Sequence, residues 1–390
     1  MSDFANAWRR FFAEERDALV LGLLRLGIST LLFFNGLRMI LELSRGGYFA
    51  GYFHLPMIPE QWLPSQTGYQ LLLGLHALAA LCAFVGFYPR EALLTASSLG
   101  LYFLACDRLQ YHNNRYALLL LGFLLAFTPC DRSFSLIRGR AHTLPREQRS
   151  APTFARRLFQ IQVSLIYLGS TCGKLLDADW RSGQVLFMRY AHAPEFCLQH
   201  GLPVPSWAMA ILTSAWFASV AARAAITSEL FIALGIWWAP TRRLALWLGV
   251  VFHIGIELTA NVELFSWLMV ASYLAFVVPE VRERRFEFVR GHARAALLAR
   301  LVALFDWCAR FDRLPLASPS KEGAAFYVTN RKGQRASGAL GLAQLAEGIP
   351  LFFPLWLPLA LYAKLTAKPR TGVSSAYTAS RLKRSSESDL

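Results

Sequence analysis

Long apolar stretches recur along this chain and constrain its fold more than any other feature. Runs of about 16 to 22 apolar residues follow one another between Ala18 and Pro279, and each is long enough to cross the hydrocarbon core of a bilayer. Only 17% of the residues are charged, against about 25% in a typical soluble domain. The sequence therefore predicts an all-α polytopic membrane protein and excludes a soluble enzyme.

About eight transmembrane helices are expected from these runs. The predicted spans are residues 18–43, 69–87, 91–106, 115–129, 157–173, 207–239, 243–260 and 263–279. The sixth span is longer than a bilayer requires, so we expect it to be tilted, kinked near Arg223 or broken.

Basic residues in the connecting segments predict the orientation. The chain carries 40 Lys and Arg residues against 25 Asp and Glu residues. The arginines concentrate near the N-terminus, in the 131–157 loop, at the 242–243 turn and after residue 281. With eight crossings these regions share one face, which the positive-inside rule assigns to the cytoplasm together with both termini. The expected partner of this charge pattern is the lipid bilayer, and we expect no nucleic-acid binding.

The composition changes after about residue 282. We therefore divide the chain into a transmembrane domain (1–282), a small cytoplasmic domain (283–370) and a disordered tail (371–390). Within the small domain the pattern predicts a basic amphipathic helix over Phe286–Asp312, a short strand at 324–328 and a helix at 338–347. It is therefore expected to be a small mixed α/β segment, and three prolines in residues 349–362 argue against a further spanning helix.

The lysine at the end of the fifth predicted helix is the main candidate for chemistry, because ionisable groups at membrane depth are costly. Lys174 is followed by Asp177, Asp179 and Trp180. A lysine held in an apolar pocket loses proton affinity and can act as a base. A lysine at a helix end can also simply extend to water. The residues alone leave both interpretations open.

A second polar segment joins the third and fourth predicted helices. It contains His112, Asn113, Asn114 and Tyr116. Asparagine is common in turns and at helix starts, so this segment could be a capping turn as well as a binding element. No complete set of metal ligands accompanies it, and we expect no metal site.

Three acids and a histidine complete the candidates. His253 and Glu257 are four residues apart and lie on one helix face, where they could relay protons, bind a metal or satisfy each other. Glu229 lies within the sixth predicted helix and needs a partner or a proton. Glu263 belongs to a polar stretch, 261–266, after the seventh helix. The predicted topology brings these groups and Lys174 to the extracytoplasmic side, so we expect one polar pocket that opens outward.

Three of these motifs, in this order, resemble the HTTM domain family, which includes the vitamin K-dependent gamma-glutamyl carboxylase. The resemblance runs from about Glu15 to Glu280 and is carried by Asn113-Asn114 before Tyr116, the Tyr167–Gly183 element with its Asp-Ala-Asp-Trp run, and Phe252-His253 followed by Leu264-Phe265-Ser266. The carboxylase has two adjacent lysines before its Leu-Asp-Ala-Asp-Trp run, and the second is the proposed base. Here Lys174 corresponds to the first lysine and Leu175 to the second, so gamma-carboxylation of glutamate is not transferred.

Residues 286–362 resemble a DCC-type thiol–disulfide oxidoreductase domain, which is thioredoxin-like. That family begins with Gly-x-Cys-x-x-Cys, and the Gly291–Ala296 segment has Ala293 and Ala296 at the two cysteine positions. The resemblance therefore implies a degenerate domain without thiol chemistry.

These features support a first hypothesis of a carboxylase- or epoxidase-like membrane enzyme in a bacterial inner membrane. It would act as a lyase or oxidoreductase on reduced vitamin K or another quinone, or on a peptide. Its catalytic residues would be Lys174 as the base, with His112 and His253 to position groups or relay protons. The binding residues would be Asn113, Asn114, Tyr116, Asp177, Asp179, Trp180, Glu229 and Glu257.

Two other functions stay open. The chain could be a non-catalytic membrane protein that binds a lipid, a peptide or a partner during export or maturation. It could also be a proton-coupled transporter using Glu229, His253 and Glu257, although the sequence has no internal repeat of the kind that transporters often contain.

Overall fold

The chain divides into two compact units. A computed structural model describes residues 2–49, 51, 53–137, 143–260, 262, 264–277, 282–317 and 323–366. The first unit consists of Met1–Val281 with Trp307–Arg310, and the second of Arg282–Asp306 with Phe311–Leu390. Glu263 and the predicted tail, 371–390, lie outside the described residues.

The first unit is built almost entirely from helices. They are α1 (Ser2–Ala13), α2 (Leu19–Ser44), α3 (Gln66–Val85), α4 (Pro89–Cys106), α5 (Asn113–Ala126), α6 (Arg146–Arg149), α7 (Phe154–Leu176), α8 (Ala178–Ser182), α9 (Gln184–Ala191), α10 (Ala193–Gln199), α11 (Ser206–Leu212), α12 (Ala215–Gly235), α13 (Ala239–Ala260) and α14 (Phe265–Ser272). A 3-10 turn, Tyr273–Phe276, extends α14. Two short antiparallel strands, β1 (Glu15–Asp17) and β2 (Ser150–Pro152), pair between α1 and the start of α7.

Helices occupy all of the predicted apolar runs over the described residues, and the sixth run is broken, one of the three alternatives that we expected for it. The predicted 207–239 helix is two helices, α11 and α12, and the break lies at Thr213 and Ser214. Arg223, where a kink was one of those alternatives, lies within α12. Ser214 starts the new helix because its hydroxyl oxygen accepts a hydrogen bond from the backbone N–H of Phe217 at 3.2 Å, which satisfies a free donor of the first turn.

Most of the long helices pack against the next one along the chain, and the last of them packs against the first. Neighbouring pairs run from α2 through α3, α4 and α5 to α7, and on through α12 and α13 to α14, which packs back onto α2. The core between α2 and α5 is aliphatic and fully buried, and it contains Leu24, Ile28, Leu32, Leu118 and Leu121. The arrangement brings α7, α12, α13 and α14 together, and these four elements hold the candidate site.

Three helices are long and apolar enough to cross a membrane by length and composition: Leu19–Phe49, Gln66–Val85 and Ala215–Gly235. Large apolar side chains on two of them face outward, including Leu71 and Trp216, each 71% exposed. An apolar surface of this kind suits a lipid environment. The count of eight crossings and the orientation of the termini stay predictions, since α7 and α13 carry several charged residues and α5 is short.

The second unit has a small mixed sheet with the strand order β4-β3-β5-β6. Its elements are β3 (Arg284–Val289), α15 (Ala293–Phe305), β4 (Phe311–Leu316), β5 (Phe326–Thr329), β6 (Arg335–Ala336), α16 (Gly338–Gly348) and α17 (Trp356–Thr366). β3 and β4 are parallel, whereas β3–β5 and β5–β6 are antiparallel. Phe286, Val302, Phe311, Val328 and Ile349 form its core.

The long helix that we predicted over Phe286–Asp312 is wrong. The segment is a strand, a helix and a second strand, with α15 crossing between the two parallel strands. Within β3 the buried residues include Arg284, Phe286 and Val289, and charged side chains stand between them. The frequent arginines made this pattern resemble the polar face of an amphipathic helix.

Candidate functional site

One face of α7 carries the polar residues of the candidate site. Tyr167, Ser170, Thr171 and Lys174 are spaced by three or four residues, so the helix aligns their side chains. Tyr167 and Thr171 are buried, and Ser170 and Lys174 are half-buried. The stripe continues from the middle of α7 to its C-terminal end.

Lys174 forms a buried ion pair with Glu229 of α12. Its Nζ donates to both carboxylate oxygens at 2.8 Å and to the hydroxyl oxygen of Ser170 at 2.5 Å. Ser170 in turn donates to Glu229 Oε1 at 3.2 Å. The side chains of the lysine and the glutamate are 14% and 7% exposed, and the ring of Trp180 lies 5.0 Å from Nζ. The lysine therefore turns into the bundle instead of extending to water.

Two tyrosines and a histidine form a second group, two turns below Lys174 on α7. The hydroxyl of Tyr167 contacts His253 Nε2 of α13 at 2.7 Å and also the hydroxyl of Tyr273, in the 3-10 turn after α14. All three side chains are almost fully buried. Gly249, one turn before His253, makes this contact possible, since a Cβ atom there would lie 2.2 Å from the Tyr273 hydroxyl oxygen.

Several buried polar side-chain atoms have no hydrogen-bond partner in the described part of the chain, and four of them lie near the candidate site, on α7, α13 and α14. These four are Thr171 Oγ1, His253 Nδ1, Glu257 Oε2 and Ser266 Oγ. Thr171 and Glu257 each lie one turn beyond the tyrosine–histidine group, about 6 Å toward the C-terminal ends of their helices. The ring of Phe265, next to Ser266, lies 5.7 Å from the ring of His253.

Unpaired polar atoms at one end of three adjacent helices need an explanation, because buried polar groups are nearly always hydrogen-bonded. If Tyr167 donates to His253 Nε2, then His253 Nδ1 carries the ring proton and is an unused donor. Glu257 supplies an unused acceptor. A ligand with hydroxyl or carbonyl groups would satisfy both kinds of atom.

Among the predicted residues at the start of α5, only Asn114 reaches this region. Its side-chain N–H donates to the carbonyl oxygen of Val262, between α13 and α14, at 3.2 Å. His112 caps α5, since its Nδ1 accepts from the backbone N–H of Asn114 at 3.3 Å. His112, Asn113 and Tyr116 are exposed.

The acidic residues after Lys174 have a structural role in α8. Asp177 begins this helix and accepts hydrogen bonds from the backbone N–H groups of Asp179 and Trp180 at 2.8 and 3.3 Å. Asp179 is exposed. Their geometry places the Trp180 ring over the Lys174 ammonium, and neither carboxylate pairs with that lysine within the described residues.

The structure adds residues that sequence reasoning missed. Ser170 and Tyr167 could have been found, because each lies on the same face of α7 as Lys174. No local sequence pattern marks Tyr273 as a site residue. It lies in an apolar run, where its polar neighbours are the adjacent Ser272 and, two helical turns earlier, Ser266. Within the described residues no group of three His, Cys, Asp or Glu side chains could hold a metal ion.

Comparison with known proteins assigns the first unit to a family. A family model described as the HTTM domain matches residues 14–280, more than half of the chain. The chain belongs to the HTTM family. No curated protein and no solved structure matches the chain. The HTTM match contains α2 to α14 and hence every residue of the candidate site. It ends before β3, so the second unit lies outside it.

Lys174 and Leu175 both lie in the part of the chain that the HTTM model matches. Family membership implies a membrane protein of the carboxylase-like class. Leu175, the next residue along α7, is 46% exposed. Lys174 is held inside the helix bundle by Glu229 and Ser170.

Proposed function

We propose that this HTTM protein is a membrane enzyme that takes a proton from a hydroxyl group of a reduced quinone. The observation that carries the proposal is the buried Lys174–Glu229 pair, next to polar atoms that have no partner in the described residues. The proposal includes eight crossings, cytoplasmic termini and a location in a bacterial inner membrane. In that topology the C-terminal end of α7, and with it the site, faces the extracytoplasmic side.

The unpaired atoms fit a quinol. His253 Nδ1 is a donor and Glu257 Oε2 an acceptor, and the hydroxyls of Thr171 and Ser266 can serve as either. These four residues would form hydrogen bonds with the two hydroxyl groups of the quinol. A reduced quinone supplies, when bound there, an acidic hydroxyl group and reducing electrons.

Lys174 can act as a base after its ammonium group transfers a proton to the Glu229 carboxylate. As an ammonium group it has no lone pair, so its proton first moves to the carboxylate of Glu229, 2.8 Å away. Burial disfavours both charged groups, and the neutral pair is therefore closer in energy than it would be in water. The free amine then accepts the proton of the bound hydroxyl. Tyr167 and Tyr273 fix the orientation of His253 beneath this position.

The direct test uses the purified full-length protein in detergent and measures binding of a reduced naphthoquinone and its oxidation to the quinone, with dissolved dioxygen as the two-electron acceptor. We expect saturable binding to the wild type and to Lys174→Ala, with oxidation only by the wild type. Glu229→Gln should also lose oxidation, because the lysine then has no proton acceptor. Lys332→Ala, in an exposed turn of the second unit, is the control and should behave as wild type. Absence of binding to every form would rule out the quinone substrate.

A non-catalytic binding role is the second candidate function. It is favoured by the saturation of Lys174, whose three donors contact Ser170 and both oxygens of Glu229. In that case the pair stabilises the helix bundle, and the wild type should show no turnover. Lys174→Ala should then lower only the stability or the ligand affinity. The same experiment therefore separates the two functions. No described contact specifically favours the transporter hypothesis.

For the second unit we propose a degenerate DCC-type, thioredoxin-like domain. The unit of two parallel strands with a crossing helix, β3–α15–β4, supports this proposal, as does Ala293 at the first position of α15. In a redox-active domain a Cys-x-x-Cys motif follows such a strand. With Ala293 and Ala296 at those positions, we expect the unit to have no thiol–disulfide exchange activity in an insulin-reduction assay.

A further inference from the structure

Four arginines gather at the end of α7 opposite the candidate site. Arg156 and Arg157 lie in the first turn of α7, Arg16 in β1 and Arg242 in the first turn of α13. The β1–β2 pairing places Arg16 directly before α7. Arg157 Nε donates to the carbonyl oxygen of Phe11 at 3.1 Å. The positive charges of the other three guanidinium groups act on Arg156, and the carboxylate of Asp17 acts in the opposite sense.

Arg156 is the buried member of this cluster and is not fully paired. It is only 5% exposed. Its Nε donates to Ala275 O and its Nη2 to Val277 O, each at 2.8 Å, but its Nη1 has no partner in the described residues. A buried, charged donor without an acceptor is costly. The described residues therefore leave one charged donor of the cluster without an acceptor.

Local acids do not neutralise the cluster. Glu14 pairs with Arg16 at 2.8 Å. Asp17 is held by Arg149 through two hydrogen bonds of 2.8 Å and so is already matched. The other arginines donate to the C-terminal carbonyls of helical segments, and each helix end contributes about half a negative charge. These groups offset only part of the positive charge of the cluster.

Exposed aromatic rings surround the cluster. The rings of Trp8 and Phe12 lie 4.8 Å apart, and those of Phe12 and Phe154 lie 5.6 Å apart. Trp8, Phe154 and Trp238 are 57%, 55% and 74% exposed. Tryptophan and tyrosine concentrate at the headgroup level of membranes, and Trp8 and Trp238 are the exposed tryptophans here.

The depth of the cluster agrees with a headgroup position. Arg157 precedes Lys174 by seventeen residues on one helix, which corresponds to about 25 Å along the axis. That distance is close to the hydrocarbon thickness of a bilayer, about 30 Å. The cluster and the candidate site therefore lie at opposite ends of α7, and in the proposed topology at opposite surfaces of the membrane.

We propose that Arg16, Arg156, Arg157 and Arg242 bind the phosphate group of an anionic phospholipid. The planar guanidinium fork matches phosphate oxygens, and Arg156 Nη1 is the donor that the phosphate would satisfy. The surrounding aromatic rings select a lipid headgroup over a phosphate ion from solution, because they anchor acyl-chain surface beside the arginines. This proposal requires the membrane location but not the quinone chemistry.

The test measures lipid binding to the purified full-length protein. Phosphatidylglycerol or phosphatidylcholine is added in detergent, bound lipid is counted by native mass spectrometry, and the unfolding midpoint is followed in parallel. We expect saturable phosphatidylglycerol binding that raises the midpoint, and no such effect of phosphatidylcholine. The double variant Arg16→Gln/Arg242→Gln should bind about twenty-five-fold more weakly, at roughly fivefold for each arginine removed near a membrane surface.

The matched control is Arg90→Gln. Arg90 Nε also donates to a helix-end carbonyl, Ala126 O at 3.0 Å, but Arg90 lies outside the cluster. Its lipid binding should equal that of the wild type. Arg156→Lys should keep the charge and yet weaken binding, because an ammonium group cannot reproduce the fork. The double variant leaves Arg156 in place and so provides a test even if Arg156 variants fail to fold.

Three results would overturn the lipid site. The first is equal binding of the two lipids. The second is wild-type affinity in the double variant. The third is inorganic phosphate alone giving the same stabilisation and displacing the lipid, which would assign the arginines to a free anion. Naphthoquinone oxidation should be unchanged in Arg16→Gln/Arg242→Gln, so failure of this site is distinguishable from failure of the proposed enzyme activity.

Discussion

The Lys174–Glu229 pair gives the sharpest prediction, because its two partners can be removed separately and together. Exposed ion pairs contribute about 0 to 1 kcal/mol. This pair belongs to the buried class, since its side chains are only 14% and 7% exposed and its atoms are 2.8 Å apart. Removing one partner of a buried pair leaves an uncompensated charge and costs about 3 to 5 kcal/mol. We expect that cost for Lys174→Met and for Glu229→Gln.

The double variant Lys174→Met/Glu229→Gln should cost much less than the sum of the two single variants, because no isolated charge then remains. The measurement is thermal unfolding of all four forms in one detergent, followed by tryptophan fluorescence. Each single variant should lower the midpoint by roughly 6 °C or more, at about 2 to 4 °C per kcal/mol. Lys332→Ala is the unchanged control. Additive effects of the two single substitutions would refute a coupled buried pair.

Two further predictions concern glycines that have no room for a Cβ atom, and a third concerns the pH dependence of stability. Gly249→Ala should displace the Tyr273 ring and destabilise the fold, seen as a lower unfolding midpoint, because the new Cβ would lie 2.2 Å from its hydroxyl oxygen. Gly183→Ala should do the same, since Gly183 has φ +88° and its Cβ would lie 2.5 Å from Ser219 Cα. Asp107, outside the helices, has a pKa lowered from its ordinary 3.8: burial opposes ionisation, but hydrogen bonds from a histidine ring and two backbone N–H groups outweigh it. The ionised form thus stabilises the fold above about pH 4 and this contribution is lost as the pH falls through the lowered pKa. Asp107→Asn should cost about 1.5 to 3 kcal/mol at pH 7, and the difference from wild type, measured as unfolding midpoints across pH, should shrink in acid.

The helices of the first unit were largely predictable from the chain alone. Apolar runs of spanning length have few structural alternatives, because an unpaired backbone cannot lie in hydrocarbon. Their limits were less certain where no proline or glycine marks an end, as at Thr213 and Ser214, where a single serine cap divides one apolar run into two helices. The second unit was harder, because the charged residues of β3 have little periodicity over its short length.

The candidate site was only partly predictable. Lys174, Glu229, His253 and Glu257 were found because charged or ionisable groups are rare in apolar runs. His112, Asn113, Asp177 and Asp179 were chosen by motif, yet the structure places them at exposed helix starts. Tyr273 and Thr171 were missed, since hydroxyl groups in apolar helices are common and become informative only when their neighbours are known.

The amino-acid sequence by itself determined the class of protein, the position of most helices and the small number of polar groups that must find partners inside them. These properties follow from composition and local spacing, because the hydrophobicity of each segment determines whether it lies in water or in lipid. Only the tertiary structure decided which partners they find. Lys174 and Glu229 are 55 residues apart, and Tyr167 and Tyr273 are 106 apart. Their pairing depends on α7 lying beside α12, α13 and α14, which is set by how whole helix surfaces pack and not by any short segment.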